Sequence, residues 1–205
     1  MGAVISTTLL AEVFITLFVI MDPPGTIPIF LALTSGISPA RRKRAAWQAV
    51  TVSFVVIVLF ALFGRQLLRY LHISLPALQG AGGLLLLLVA LELLTGKESE
   101  PTETRDVNVA LVPLGTPLLA GPGAIVATMV FVERVESVPT FVALALGIIG
   151  VHVMLWASMR YSVVILRLIR ESGVTLVTRI SGLLLSAIAV QLIADSVRAF
   201  VAGAG

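Results

Sequence analysis

The sequence predicts an all-α polytopic membrane protein. It expects six transmembrane segments, arranged as a 3+3 inverted-topology repeat, with the first and fourth segments broken by proline and glycine. Three observations lead there. Of 205 residues, 58% are hydrophobic and only 12% are charged, whereas a soluble domain is about half apolar and about a quarter charged. So little charge cannot cover a water-facing surface, which excludes an ordinary soluble enzyme, a disordered chain and a nucleic-acid module. The apolar residues gather in six runs, each long enough for a helical span of about 20 residues. The pattern of the first half also returns in the second.

The first run extends from about Ser6 to Leu33 and is interrupted by Asp22-Pro23-Pro24-Gly25-Thr26-Ile27-Pro28. It lacks a basic n-region and a small-residue cleavage site, so it is read as a retained span rather than a signal peptide. Ser38-Pro39 then opens a helix, serine as N-cap and proline at the first helical position. The basic cluster Arg41–Arg44 follows, and Ala45–Phe63 is the second run. Leu75–Leu94 is the third. The fourth, Val109–Val132, is broken by Pro113, Gly115, Pro117, Gly121, Pro122 and Gly123. The fifth is about Thr140–Met159 and the sixth about Ile180–Val201. Residues 1–96 therefore form the first three-span repeat, 97–108 a polar cytoplasmic linker, and 109–205 the second repeat.

The repeat is legible residue by residue. Gly83–Leu94 aligns with Gly182–Ile193 at an offset of 99, with six of twelve positions identical. The shared glycine and the Glu92/Gln191 match are harder to obtain by chance than matching leucines. At an offset of 98, Pro24-Gly25-Thr26-Ile27 aligns with Pro122-Gly123-Ala124-Ile125. Three spans per half is an odd number, so the halves enter the membrane from opposite sides. Broken helices at matching positions of two such halves point to a transporter binding site.

The net charge of +3 is read as an orientation signal. With the N-terminus outside, the inner connections carry Arg41, Arg42, Lys43, Arg44, Lys97, Arg105, Arg160, Arg167, Arg170 and Arg179. The outer parts carry Arg65, Arg69, Arg134 and Arg198. That excess places both termini outside. The chain has no cysteine, hence no disulfide or thiolate site. His72 and His152 have no carboxylate at ligand spacing, so no metal site and no cofactor are expected.

Proline removes a backbone donor and pushes the residue before it out of helix geometry. Pro23, Pro24 and Pro28 should therefore unwind the first segment, and Pro113 and Pro117 the fourth. At 1.5 Å per residue, Asp22 lies about 21 Å along from Thr8 and Gly121 about 18 Å along from Val109. In a core of about 30 Å both breaks fall near the middle, approached from opposite faces. Irregular backbone at that depth is tolerated only when buried in protein or lining a wet cavity. Such a pair offers amide donors for a carboxylate. Its carbonyls, with Asp22, suit an ammonium group, a proton or Na⁺. The expected substrate contacts are Asp22, Gly25, Thr26, Thr116, Gly121, Pro122 and Gly123. Asp22, Glu92 and Gln191 are the candidate sites for a coupling ion, H⁺ or Na⁺. The bland readings stand beside these: kinks that only shape packing, Asp22 as the N-cap of a half-helix beginning at Pro23, and Glu92 snorkelling to the interface. Glu12 and His152 are intramembrane polar candidates, His152 more readily a satisfied bundle residue than a proton relay. Asp195 is read as interfacial or paired with Arg198, Trp47 and Trp156 as interface anchors, and Gly80, Gly82, Gly83, Gly147 and Gly150 as sites of close helix contact.

Asp22-Pro-Pro-Gly-Thr-Ile-Pro-Ile-Phe30 resembles the Asp-Pro-x-Gly-Asn-x-Pro-x-Phe motif of the MarC family. Val112-Pro-Leu-Gly-Thr-Pro-Leu-Leu-Ala-Gly-Pro-Gly-Ala-Ile125 resembles that family's Pro-x-x-x-Pro-x-x-x-Gly-Pro-Gly-x-Ile stretch. Residues 74–83 and 179–191 resemble its third and sixth spans, so the likeness covers nearly the whole chain. The chain departs from the motif at Thr26, where the family has Asn. The resemblance implies a six-span protein of a prokaryotic cytoplasmic membrane, of neutral amino acid transporter (NAAT) type. It implies transport of small neutral amino acids such as glycine or alanine, with H⁺ as a coupling ion.

The leading expectation is thus a secondary transporter working by alternating access. The alternatives are an uncoupled channel or facilitator, or an exporter of another small metabolite or drug. No nucleophile–base pair, dicarboxylate motif or phosphate-binding loop supports an enzyme or an ATP-driven pump. The expected partners are the lipid bilayer and a small-molecule substrate, with homo-oligomerisation left open and no nucleic acid.

Overall fold

A computed structural model of the chain describes residues 5–96 and 119–203. Seven helices, and no strand, occur among these residues: α1 (Thr7–Met21), α2 (Thr26–Leu33), α3 (Pro39–Leu71), α4 (Leu75–Thr95), α5 (Pro122–Glu133), α6 (Val138–Arg160) and α7 (Ser162–Val201). Four stretches are long and apolar enough to cross a membrane: α3, α4, α6 and Ser172–Val201 of α7. The pair α1 and α2, bent by 45°, makes a fifth if taken as one broken span. The described residues thus supply four such stretches, or up to five, of the six expected. The 12 residues of α5 reach only about 18 Å. The expected linker at 97–108 and the first part of the fourth run, 109–118, lie outside the described residues.

Local chemistry sets most helix ends. Ser38 Oγ accepts the Arg41 amide at 3.4 Å and Pro39 takes the first turn, as expected. At the other end of α3, His72 adopts φ 54°. Its amide donates to the Arg69 carbonyl, and that of Ile73 to the Leu68 carbonyl, a pair of bonds that closes off orphan carbonyls. Ser74 caps α4 through the Ala77 amide, so only a short turn separates α3 from α4. Thr140 Oγ1 accepts the Ser137 amide at 3.0 Å at the start of α6.

Two helices outrun the apolar runs that mark them. The 33 residues of α3, about 50 Å long, extend well beyond Ala45–Phe63. Arg, Lys, Gln and Leu are good helix formers, so leaving the hydrocarbon does not end a helix. The last span likewise begins at Ser172 rather than near Ile180. Before it lies a short stretch from Ser162, separated by Arg170 at φ 62° and ψ 166°.

The largest buried side chains include Val13 and Leu17 of α1, Phe30 of α2, Ile57 of α3, and Val151 and Leu155 of α6, together with Leu119. These belong to one core cluster, while Leu86 and Ala90 of α4 meet Leu185 and Ala189 of α7 in a second. Helix α1 packs on α6, α3 on α6 and α5, α5 also on α4 and α1, and α4 on α7. Outward positions such as Leu59, Leu84, Leu88, Leu183 and Val190 are exposed, a surface suited to hydrocarbon rather than water.

The α4–α7 crossing is reciprocal. A side chain at Gly83 would meet the Ala189 carbonyl and Ile193 at under 3 Å. A side chain at Gly182 would meet the Ala90 carbonyl, Leu93 and Leu94 at 3.0–3.3 Å. Gly182, Ala189 and Ile193 are Gly83, Ala90 and Leu94 shifted by 99 positions. Ser53 of α3 and His152 of α6, also 99 apart, share a hydrogen bond of 3.3 Å.

Candidate functional site

The break between α1 and α2 is built by its two prolines. Pro23 and Pro24 have no N–H, so the carbonyls of Val19 and Ile20 lose their helical donors. Asp22 ends α1 in the left-handed region, φ 39° and ψ 67°, with its amide on the Phe18 carbonyl at 3.0 Å. It is thus the C-terminal cap of α1 and not the N-cap of a helix starting at Pro23. The chain resumes quickly. The Thr26 amide donates to the Asp22 carbonyl at 3.0 Å and the Ile27 amide to that of Pro24 at 3.1 Å. Thr26 Oγ1 donates to the Pro23 carbonyl at 2.7 Å, so this hydroxyl clips the break from within.

The Asp22 side chain is buried, at 6% exposure, and it lies over Gly25. Any Cβ at Gly25 would run into the Asp22 carboxylate, and Thr178 Oγ1 of α7 lies 3.2 Å from the same point. Asp22, Gly25 and Thr178 therefore converge from two helices. Thr178 also lines a cavity of about 490 Å³, walled by Pro28 of α2, Leu93, Thr95 and Gly96 at the end of α4, and Leu166, Val174, Thr175 and Arg179 of α7. Thr175, Thr178 and Arg179 are spaced three and four residues apart, which puts them on one helix face. The broken helix thus carries a buried carboxylate near a cavity lined in part by Arg179.

At the second break Gly121, at φ −63° and ψ 162°, precedes Pro122 at the first position of α5. Its carbonyl accepts the amides of Ala124 and Ile125 at 3.0 and 3.2 Å. Leu119 and Ala120 are buried in the same core cluster as Met21 and Phe30, and α1 packs on α5. Gly123 is buried and faces Leu86 of α4, whose side chain fills the space a Cβ would take. Its lack of a side chain thus admits Leu86 to this spot. Thr116, Pro113 and Pro117 lie outside the described residues.

Neither Glu92 nor Gln191 is among the residues that line this cavity. Both are exposed, and Gln191 Nε2 donates to Asp195 Oδ1 at 2.9 Å. Asp195 also pairs with Arg198 at 3.6 Å, as expected. Glu12 pairs with Arg134 at 2.6 Å, and Arg65 with Glu133. His152 is buried, with Nδ1 on the Ile148 carbonyl at 2.8 Å and Nε2 on Ser53, which is the satisfied bundle residue. Among the described residues no group of three or more His, Asp or Glu side chains could hold a metal ion. Sequence reasoning missed Thr175, Thr178 and the cavity role of Arg179. The signal was the polar spacing Thr175-x-x-Thr178-Arg179, hidden because Arg179 was read only for orientation.

These features define a helical integral membrane protein with a carboxylate buried at a broken helix. The chain belongs to the MarC family: the model described as "MarC family integral membrane protein" matches residues 7–201. A UPF0056 membrane protein of Methanocaldococcus jannaschii is 33% identical over 90% of this chain and 94% of its own length. The UPF0056 membrane protein YvbG of Bacillus subtilis is 32% identical over 90% of this chain and 92% of its own. YhcE of Escherichia coli, of the same description, is 32% identical over 93% and 92%. No solved structure matches the chain.

Proposed function

We propose that this protein is a secondary transporter of small solutes, neutral amino acids foremost, working by alternating access around its broken helices. The carrying observation is the buried Asp22 at the α1–α2 break, joined through Thr178 to a cavity of about 490 Å³ that contains Arg179. That volume falls in the range of small-molecule sites, about 300–1,000 Å³. A carboxylate and a guanidinium at two ends of one site suit the ammonium and carboxylate of a zwitterion. Asp22 is also the residue offered for H⁺ or Na⁺ coupling, since an intramembrane carboxylate is functional by default. Net transport then involves no chemical conversion of the solute.

The reciprocal glycine crossing and the Ser53–His152 pair support the reading of two inverted three-span halves, which rock against each other to open the site alternately. Arg179 at the cavity, with Arg160 and the Arg41–Arg44 cluster, supports a cytoplasmic location for this mouth and an outside location for both termini. The membrane is read as the prokaryotic cytoplasmic membrane.

Counterflow in proteoliposomes tests the proposal. Vesicles loaded with unlabelled alanine should accumulate labelled alanine or glycine, and Asp22→Asn should abolish accumulation while the protein stays folded. Equilibration without accumulation would mark a channel. Absence of any uptake by folded protein would remove the amino-acid assignment.

A further inference from the structure

The seam between α3 and α6 carries a second concavity. A groove of about 460 Å³ is lined by Trp47, Val50, Phe54, Ile149, Val153 and Trp156. It continues into a smaller hollow of about 150 Å³ that reaches Leu62 and Phe141. Its few polar groups are bonded within the protein. His152 bonds to Ile148 and Ser53, and Thr51 Oγ1 donates to the Trp47 carbonyl at 2.9 Å. The two helices are antiparallel, since Trp47 meets the level of Trp156 and Leu62 that of Phe141. From Trp47 to Leu62 is about 22 Å of helix, somewhat more than one leaflet's half of a core of about 30 Å.

Charge marks one end of this groove. Arg44 lies three residues before Trp47 on α3, and Arg160 four residues after Trp156 on α6. Each is therefore one turn beyond its tryptophan on the same helix face, and the antiparallel packing puts both at the same end. The Arg160 guanidinium lies 5.3 Å from the centre of the Tyr161 ring, which meets Trp156 edge-on at 6.4 Å. Arg44 is exposed, and Trp47 is 61% exposed.

We propose that this seam binds one anionic phospholipid. One acyl chain lies along the apolar groove beneath the two tryptophans, and the phosphate sits between Arg44 and Arg160. The chemistry matches on both counts: an apolar channel of leaflet depth, and two guanidiniums with the fork geometry that phosphate accepts. A second copy of the chain fits less well. A two-fold axis along the membrane normal would bring Arg44 and Arg160 of both copies to one level, where like charges repel.

The chain has two tryptophans and both line this groove, so tryptophan emission reports on it alone. The test uses the full-length protein in phosphatidylcholine vesicles doped with a small, equal fraction of brominated-acyl phosphatidylglycerol or brominated-acyl phosphatidylcholine. The brominated phosphatidylglycerol should quench at a several-fold lower fraction. The double variant Arg44→Gln/Arg160→Gln should merge the two curves, whereas Arg69→Gln, at the opposite end of α3, should leave them apart. Coincident curves for the unmodified protein would overturn the proposal, because they describe unselective lipid contact. Protection of both tryptophans from both lipids would also overturn it, and would indicate a protein cover such as a second copy. The comparison on the unmodified protein decides the matter even if the double variant fails to fold.

Discussion

Asp22 can occupy its position only because residue 25 is glycine. The carboxylate fills the volume a Cβ would need, and the αL backbone that directs it there is strained for an ordinary residue. Gly25→Ala should therefore displace the carboxylate and abolish counterflow, while the folded yield in detergent changes little. Thr178 offers a hydroxyl to the same spot. Thr178→Val keeps the shape and removes the hydroxyl, so it should slow exchange by about ten-fold or more, and Thr178→Ser should restore it. Equal activity of the valine and serine variants would exclude the hydroxyl. At this scale the sequence was informative where chemistry is local and silent where it is not. Asp22, its prolines and Gly25 stand out in one nonapeptide. Thr178 is distant in sequence from all of them, and only the packing of α7 against α2 makes it a neighbour. Gly123 shows a second pressure on a motif glycine, since the side chain of Leu86 fills the space beside it.

Among the elements, the α1–α2 pair is shaped by missing bonds. Replacing both prolines, Pro23→Ala/Pro24→Ala, returns two amide donors to the carbonyls of Val19 and Ile20. The variant should melt higher, by roughly 1–3 kcal/mol of added stability, and should lose transport. A higher melting temperature with transport intact would show that the break is dispensable. Element type and order were legible because runs of apolar residues with serine caps and proline starts announce helices. Boundaries were less so. Hydropathy marks where a helix meets lipid, and α3 carries on through Arg, Lys and Gln on both sides of that zone. The break at Arg170 had no proline or glycine at its position to announce it.

For the whole molecule, orientation and the half-to-half relationship are the properties to test. Reporter fusions at Met1 and Gly205 should both read outside, and a cytoplasmic reading at either would reverse the assignment built on the basic residues. The α4–α7 crossing gives a stability prediction. Gly83→Leu forces a side chain into the Ala189 carbonyl, and overpacking of this kind costs about 1–3 kcal/mol or more. It should lower the melting temperature sharply, as should its twin Gly182→Leu. Gly36→Ala, which meets nothing within 4 Å, should be near neutral. The crossing also has a mechanical meaning. Gly83 and Gly182 bring no side chain of their own to the crossing, and each lies close to an alanine carbonyl of the other helix. A joint of that kind has no knobs to lift out of holes when it turns. On the proposed rocking of two halves, α4 and α7 would form an axle, with their small residues as its bearing.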